Sequence, residues 1–460
     1  MIFVSIDDHE AHNLRAVMNE IFGEENFVAT FVWKRRASSA LAEKRVSVDH
    51  EYVVAYHKGG LGCFAGIGKT YESYSNPDGD PNGDWTLGDL TVGMTKEQRP
   101  NQFYDLVDPK TGRRFRANPN RVWAFVPESM AAEIAEGRVV FPPDLQSRPM
   151  VKRYRKNLKS EVNPVSTWIR GRNDAPDADE DGVISLQTGL NSEGTRSIQE
   201  LFDSTVFNYS KPPSLLHGLL KQVADNDDLV LDFFAGSGTT AQAVVEANAQ
   251  DGCNRKFILV QLPEPTERKD FPTIAEITKE RVRRVIKKLE QEIAAKEHKE
   301  RKEKEGRLPL RGAEATAPQA KQDLGFKAFK LSSSNFKVWD AASAPKDSAG
   351  LAEQLKLMAH NVEEGRPDEA VLYELVLKSN LPLASKIQSG KIGAQTFYDV
   401  ADGTLAICLE RPVQQETLRG LVARKPKGVI CLDIAFAGND QLKANTVLEM
   451  KTHGIEFHTA

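Results

Sequence analysis

Cysteine is scarce in this chain, and what there is lies scattered. Cys63, Cys253, Cys408 and Cys431 stand far apart, with no Cys-x-x-Cys pair. That spacing argues against zinc ribbons and thioredoxin-like motifs and reads as isolated reduced thiols. Long hydrophobic runs are missing too: nothing approaches the roughly 20 apolar residues that cross a bilayer, so no membrane partner is expected. The first residues carry neither the basic nor the apolar region of a secretory signal, and the expectation is a cytoplasmic protein. His9, His12, His50 and His57 form no His-Glu-x-x-His pattern, so no metal ligands are expected. A net charge of −4 supplies no global positive field; any nucleic-acid surface must be a local patch. Apolar residues are not lacking. With 460 residues, 40% of them hydrophobic, the chain has core enough for roughly two to four domains.

What is present centres on Asp232-Phe233-Phe234-Ala235-Gly236-Ser237-Gly238-Thr239-Thr240, at the middle of the chain. Leu229 to Leu231 reads as a buried parallel strand that Asp232 closes. Two glycines make the turn, and a helix is expected from Thr239. Strand, tight turn and helix form the cradle of an open α/β sheet, where ligands lie beyond the carboxyl ends of the strands. A nucleotide-type cofactor is therefore expected. Gly236-Ser237-Gly238-Thr239-Thr240-Ala241 formally fits the dinucleotide pattern, which needs an acid about 20 residues on for the ribose hydroxyls. The next strand, Phe257-Ile258-Leu259-Val260, ends instead in Gln261, with Glu264 three further. A neutral Gln is a weaker acceptor than a carboxylate. Phe233 and Phe234 offer an aromatic wall suited to an adenine or a sulfonium. A nicotinamide oxidoreductase is accordingly disfavoured. The stretch from Gly62 to Thr70 imitates a phosphate-binding loop, but Walker A needs glycine where Cys63 stands, so it reads as structural.

Along the chain, residues 2–6 predict a strand and Glu10 to Phe22 a helix with Leu14, Val17, Met18 and Ile21 on one face. Phe27–Trp33 and Glu51–Tyr56 predict further strands. From about 70 to 200 the chain is rich in turn residues and in basic–aromatic clusters: Arg113-Arg114-Phe115-Arg116, Arg121-Val122-Trp123 and Lys152-Arg153-Tyr154-Arg155-Lys156. Such clusters suit nucleic acid, with cations for phosphates and rings to stack or pack, although a solvated face over buried aromatics looks the same. The regular α/β pattern resumes near Phe207, includes a helix over Leu215–Val223, and runs to a strand over Lys256–Leu262. Residues 273–305 carry a helical apolar stripe (Ile274, Ile277, Val282, Val285, Ile286, Leu289, Ile293) and a polar far end. Residues 306–322 predict a linker. A separate α/β module follows, with a helix over Glu369–Leu377 and strands over Leu405–Leu409 and Gly428–Leu432.

Taken in order, these segments resemble the modification (Mod) subunits of type III restriction–modification systems, adenine-N6 DNA methyltransferases of the β arrangement. The matching stretches are IFVSIDDHEAHNLRAVMNEIFGEENFVATFVWK, DHEYVVAYHK, NSEGTRSIQELFDSTVFNYSKPPSLLHGLL, DLVLDFFAGSGTTAQAV, NRKFILVQLPEP and AFAGNDQLKANTVLEMKTHGIEF. The resemblance implies an S-adenosyl-L-methionine pocket held by Asp232, Phe233, Ala235, Gly236, Gly238 and Thr239. It puts Gln261 where many methyltransferases have a ribose-binding acid, and Lys211 and Pro212 on the opposite wall. That family delivers its chemistry through an Asp-Pro-Pro-Tyr loop: carboxylate and proline carbonyl accept from the adenine amine, the ring stacks on the flipped base, and the amine attacks the methyl carbon. The Pro-Pro pairs of this chain, Phe141-Pro142-Pro143-Asp144 and Lys211-Pro212-Pro213-Ser214, do not fit that pattern, so no catalytic residue is assigned. The family's loop precedes the segment that here begins at Ile2, and the chain is expected to be a Mod protein that starts late.

The expected fold class is α/β: an incomplete doubly wound methyltransferase (Rossmann-like) sheet with an inserted target-recognition domain and a C-terminal α/β module. The expected domains are 1–69 (catalytic half, incomplete), 70–200 (target recognition), 201–272 (cofactor half), 273–322 (charged helix and linker) and 323–460 (subunit contacts). The expected function is site-specific DNA adenine-N6 methylation, impaired in this form. The alternative is a non-catalytic DNA-recognition protein that docks a restriction subunit. The resemblance implies double-stranded DNA, a restriction (Res) helicase–nuclease subunit and a second Mod copy as partners.

Overall fold

Apolar runs in the first 60 residues form the strands predicted there. A computed structural model describes residues 1–37, 47–59, 64–172, 174, 185–305, 323–337, 347, 350 and 361–460. They divide into two units, Met1–Leu324 and Gly325–Ala460. In the first, β1 (Ile2–Ile6), α1 (Ala11–Phe22), β2 (Phe27–Lys34) and β3 (His50–Tyr56) open the chain. The middle holds β4 (Ile67–Gly68), β5 (Trp85–Asp89), β6 (Leu106–Val107), β7 (Arg114–Phe115), α2 (Pro127–Ala135), β8 (Val139–Val140), β9 (Met150–Tyr154), β10 (Val162–Asn163), β11 (Trp168–Gly171) and β12 (Gln187–Thr188). Then come α3 (Asn191–Phe202), α4 (Pro213–Val223), β13 (Leu229–Asp232), α5 (Thr239–Asp251), β14 (Lys256–Leu259) and α6 (Ile274–Glu305).

The first sheet has the order β1-β3-β2-β11-β12. β3 pairs antiparallel with β1 and β2, whereas β2–β11 and β11–β12 are parallel. Trp168–Gly171 and Gln187–Thr188 therefore belong by pairing to this sheet, although the sequence had put them inside the recognition region. The join links residues 32 and 168, a contact that no local pattern announces. Trp33, Val53, Ala55 and Ile169 pack with Leu215 and Leu219 of α4. Val54 and Tyr56 pack with Met18 of α1. The helix lies where it was expected, but its predicted face is only half used: Val17 and Ile21 are exposed at 49% and 65%.

The 70–165 region forms small antiparallel sheets, β5-β9-β8 and β6-β7, around Leu90, Leu106, Phe115, Trp123, Met130 and Val139, while the β4-β10 pair sets Ile67 against the core of the first sheet. Downstream, β13 and β14 pair in parallel from Leu229–Lys256 to Asp232–Leu259, backed by α5 and α6 through Val245, Val285, Leu289 and Phe257. The expectation that Leu229–Leu231 is buried fails: Leu229 and Leu231 are exposed, because only one face of this pair is covered among the described residues. β14 stops at Leu259, short of the predicted Leu262. The 274–305 segment is one helix, as its stripe predicts. The predicted linker at 306–322 and residues 62 and 63 of the Gly62–Thr70 stretch lie outside the described residues.

The second unit holds α7 (Asp368–Lys378), β15 (Ile387–Ile392), β16 (Gln395–Val400), β17 (Leu405–Cys408), α8 (Gln415–Arg424), β18 (Gly428–Cys431), α9 (Asp440–Thr452) and β19 (Glu456–Thr459). Its five strands run in sequence order, antiparallel for the first three and parallel from β17 to β19. The predicted helix and both predicted strands fall inside it.

Candidate cofactor site

The loop after β13 is shaped by its own side chains. Asp232 accepts a hydrogen bond from the Phe234 amide at 3.1 Å and another from the Thr240 hydroxyl. Gly236 and Gly238 both take positive φ, +51° and +84°. At Gly238 a side chain would meet both that left-handed backbone and Thr278, whose Cγ2 and carbonyl oxygen would stand 3.1 and 3.3 Å from the new Cβ. The Ala235 amide donates to Val260 O at 3.2 Å, tying the loop to the next strand. α5 then begins at Thr239, so the free amides and positive end of a 13-residue helix face the turn. Phe233 and Phe234 stand beside it with ring centroids 5.1 Å apart; Phe234 is 83% exposed.

The other expected residues fall in two places. Gln261 turns inward: its Oε1 accepts from the Gly236 amide at 2.7 Å, and its Nε2 donates to Leu262 O at 3.2 Å. One of the two lone pairs of that oxygen is thus taken by the loop. Lys211 reaches the first sheet, where its ammonium pairs with Glu51 and lies 5.2 Å from the Trp33 ring centre. Glu51 also takes Arg35 at 3.1 Å, so one carboxylate on β3 gathers two cations. Pro212 is the N-cap residue of α4. Ser210, just before it, is buried, and its hydroxyl lies 3.0 Å from Ser237 Oγ and 3.2 Å from Thr239 Oγ1. The structure therefore brings Asp232, Ala235, Gly236, Gly238, Thr239 and Gln261 into one turn and joins the Lys211-Pro212 segment to it through Ser210. Gly194 of α3 allows that approach, because any Cβ there would collide with the Ser210 carbonyl.

Two residues of this site were missed in the sequence. Thr278 and Arg281 lie on α6, one turn apart, amid Ile277, Val282 and Val285. Thr278 donates to Gly236 O at 2.5 Å, and Arg281 reaches Ser237 and Thr239. Both sit on the buried stripe, and that interruption by polar residues was the available signal. Burial lowers the Arg281 guanidinium to about 10 and pushes the carboxyl of nearby Glu246 up.

The basic–aromatic clusters divide into buried rings and exposed cations, by strand alternation around Phe115 and Tyr154. Phe115, Trp123 and Tyr154 are core residues: the Trp123 indole donates to Tyr104 O at 2.8 Å and the Tyr154 hydroxyl to Asp80 at 2.7 Å. Lys152 is buried between Asp78 and Asp80, and Arg121 is paired with Asp89. These rings are not stacking platforms. Arg114, Arg116, Arg153, Arg155 and Lys156 remain exposed around them.

A family model described as DNA methylase matches residues 1–304. The Mod subunit of the type III restriction-modification enzyme StyLTI of Salmonella typhimurium is 32% identical over 341 residues, covering 72% of this chain and 45% of that protein. The Mod subunit of the type III enzyme EcoP15I of Escherichia coli is 28% identical, covering 62% and 48%. The type II methyltransferase M.KpnI of Klebsiella pneumoniae is 27% identical, covering 58% and 63%. The chain spans about half the length of the type III relatives.

Proposed function

This chain belongs to the DNA methylase family, and from that premise we propose that it is the modification and recognition subunit of a type III restriction–modification system, directed at adenine N6. The observation that carries the reading is the turn at 232–240: an open glycine cradle with an exposed aromatic pair, backed by a helix N-terminus. Those features fit S-adenosylmethionine, which would supply an electrophilic methyl group. Asp232, Phe233, Ala235, Gly236, Gly238 and Thr239 would hold it, with Lys211 and Pro212 on the opposite side. Gln261 fixes the Gly236 amide and would keep the second lone pair of its Oε1 for a ribose hydroxyl. The exposed arginines at 114, 116, 153 and 155 would contact DNA phosphates, so binding should weaken steeply with salt. A Res subunit and a second Mod copy are the proposed protein partners, met through residues 323–460.

Residues 1–460 contain no Asp-Pro-Pro-Tyr. Beside the turn, however, Leu229 and Leu231 of β13, Ile258 of β14 and Val260 just after it are 45–60% exposed, on a face that is uncovered among the described residues. We propose that the catalytic loop is carried on a strand that pairs with the free edge of β13, under a helix that covers this face. Residues 1–460 would then bind cofactor and DNA but turn over poorly. A tritium-methyl transfer assay on unmethylated genomic DNA tests this: background counts together with calorimetric binding of S-adenosylmethionine are expected. Turnover well above background would overturn the impairment, and binding of NAD in place of S-adenosylmethionine would overturn the cofactor assignment. Salt-dependent duplex binding without cofactor, combined with no cofactor binding, would instead favour a non-catalytic recognition and docking protein.

A further inference from the structure

Arg281 is fully buried, yet it makes no ion pair among the described residues. Its Nη1 lies 2.9 Å from Ser210 Oγ, 2.6 Å from Ser237 Oγ and 2.8 Å from Thr239 Oγ1. Nε donates to Gln242 Oε1 at 2.9 Å and Nη2 to Ser197 Oγ at 3.3 Å. Every one of these acceptors is neutral. The nearest charge compensation passes through Gln242, whose amide nitrogen donates to Glu246 at 2.9 Å. Burying a cation among neutral groups is expensive, and a well-packed apolar side chain would serve stability as well or better. The guanidinium offers something an apolar residue cannot: a planar fork whose donors meet several segments at fixed angles. Nη1 has two hydrogens for three hydroxyls, so those hydroxyls share them and are drawn together. Two belong to the glycine turn; the third is the residue before Lys211-Pro212.

We propose that Arg281 is a positioning residue for the cofactor site, locking the glycine turn and the Ser210-Lys211-Pro212 wall together so that the two sides of the pocket form as one unit. Thr278, one turn earlier on α6, holds the Gly236 carbonyl and completes the clamp from beneath. The inference rests on the cofactor reading above for its ligand, but the coupling of the two walls is a property of the free protein.

The test uses the full chain with Arg281→Lys and Ser210→Ala, and S-adenosylhomocysteine as the probe. Arg281→Lys keeps the cation and loses the fork; Ser210→Ala cuts only one wall from it. In the free protein, amide hydrogen exchange at 207–214 and at 234–240 should rise together in Arg281→Lys, while β2 and β3 exchange as in the wild type. Affinity for S-adenosylhomocysteine should fall roughly tenfold in each variant, and the double variant should lose little more than either alone, because the two changes break one linkage. A merely structural arginine would instead raise exchange throughout the unit and leave the two affinity losses multiplicative. Either result overturns the proposal, as does wild-type-like exchange in both segments. If the wild type fails to bind S-adenosylhomocysteine, the cofactor reading falls, and the exchange pattern still decides the role of Arg281.

Discussion

Two short parallel strand pairs in this molecule share a local recipe and differ in fate. β13 and β14 read LVLD and KFIL; β17 and β18 read LAIC and GVIC. All four strands are four residues long and each pair is in simple parallel register. Along β17 every residue is buried, which for alternating side chains means that both faces are covered. Along β13 and β14 burial alternates, exposed then half-buried. In the second unit β16 and β19 flank the pair, and Val371, Leu421 and Met450 of three helices pack in the same core. In the first unit, among the described residues, the packing comes from one side. Parallel sheets are ordinarily covered on both faces. A local apolar run thus fixes that a strand forms, while its burial is decided by what else the fold brings to it. The uncovered face is where an incoming element has most to gain.

The strongest way to break this comparison is to place the same charge in both pairs. Ile407 is fully buried in β17, so Ile407→Asp should cost about 4 kcal/mol or more and unfold the second unit. Ile407→Ala, which only leaves a cavity, should cost about 2–5 kcal/mol. Hydrogen exchange across 387–459 in the full chain reports both. Near-native protection in Ile407→Asp would show that the buried face of this pair contributes little, and the contrast would lose its meaning.

A smaller effect separates the two units by acid. Burial would push the Glu374 carboxyl up, but hydrogen bonds from Lys378, Ser334 and Asn335 outweigh it and hold the group down to about 2. Glu246 on α5 is shifted the other way by burial. A depressed carboxyl stabilises above its unfolded value of about 4.5, and that contribution is lost as pH falls toward 2. A raised carboxyl loses its contribution as pH rises instead. Acid should therefore weaken the second unit by roughly 2–3 kcal/mol between pH 5 and 2 through Glu374, without the same loss through Glu246. Exchange protection of α7 measured against that of α5 over this range gives the difference, and Glu374→Gln should flatten it. An unchanged pH slope in Glu374→Gln would remove Glu374 as the source.

Much of the site was legible in the sequence because it is local. Asp232, the two glycines and Thr239–Thr240 dictate their own turn, and so that stretch was located by spacing alone. What escaped depends on distant chain. Arg281 hides on an apolar stripe because its partners lie 39 to 84 positions away. Gln261 stands at the ribose position in sequence, but spacing could not show that the Gly236 amide bonds to it. Phe115, Trp123 and Tyr154 carry the same residue types whether they stack on bases or fill a core, and only their burial in the fold tells them apart. β11 pairs with β2 across a sequence separation of more than 130 residues, which periodicity cannot register. Lys211 was placed on one wall, yet its ammonium belongs to Glu51 on β3; a lysine stem is long enough to serve either side.

The smallest predicted effect is the one that bears most directly on the uncovered face. Leu231 is 56% exposed, so Leu231→Asp in residues 1–460 removes little buried surface and should change stability by no more than about 0.5 kcal/mol. It places a carboxylate on the face where a catalytic strand and its helix are proposed to dock, beside Ile258 and Val260. Burying that charge without a partner would cost several kcal/mol, so docking should fail where folding does not. Urea titration of the full chain measures the first quantity. Recovery of methyl transfer on adding a polypeptide that carries the Asp-Pro-Pro-Tyr segment measures the second. A destabilisation of Leu231→Asp comparable to that of Ile407→Asp would mean that the two pairs are equally covered in solution. Unimpaired recovery of activity would place the incoming strand elsewhere.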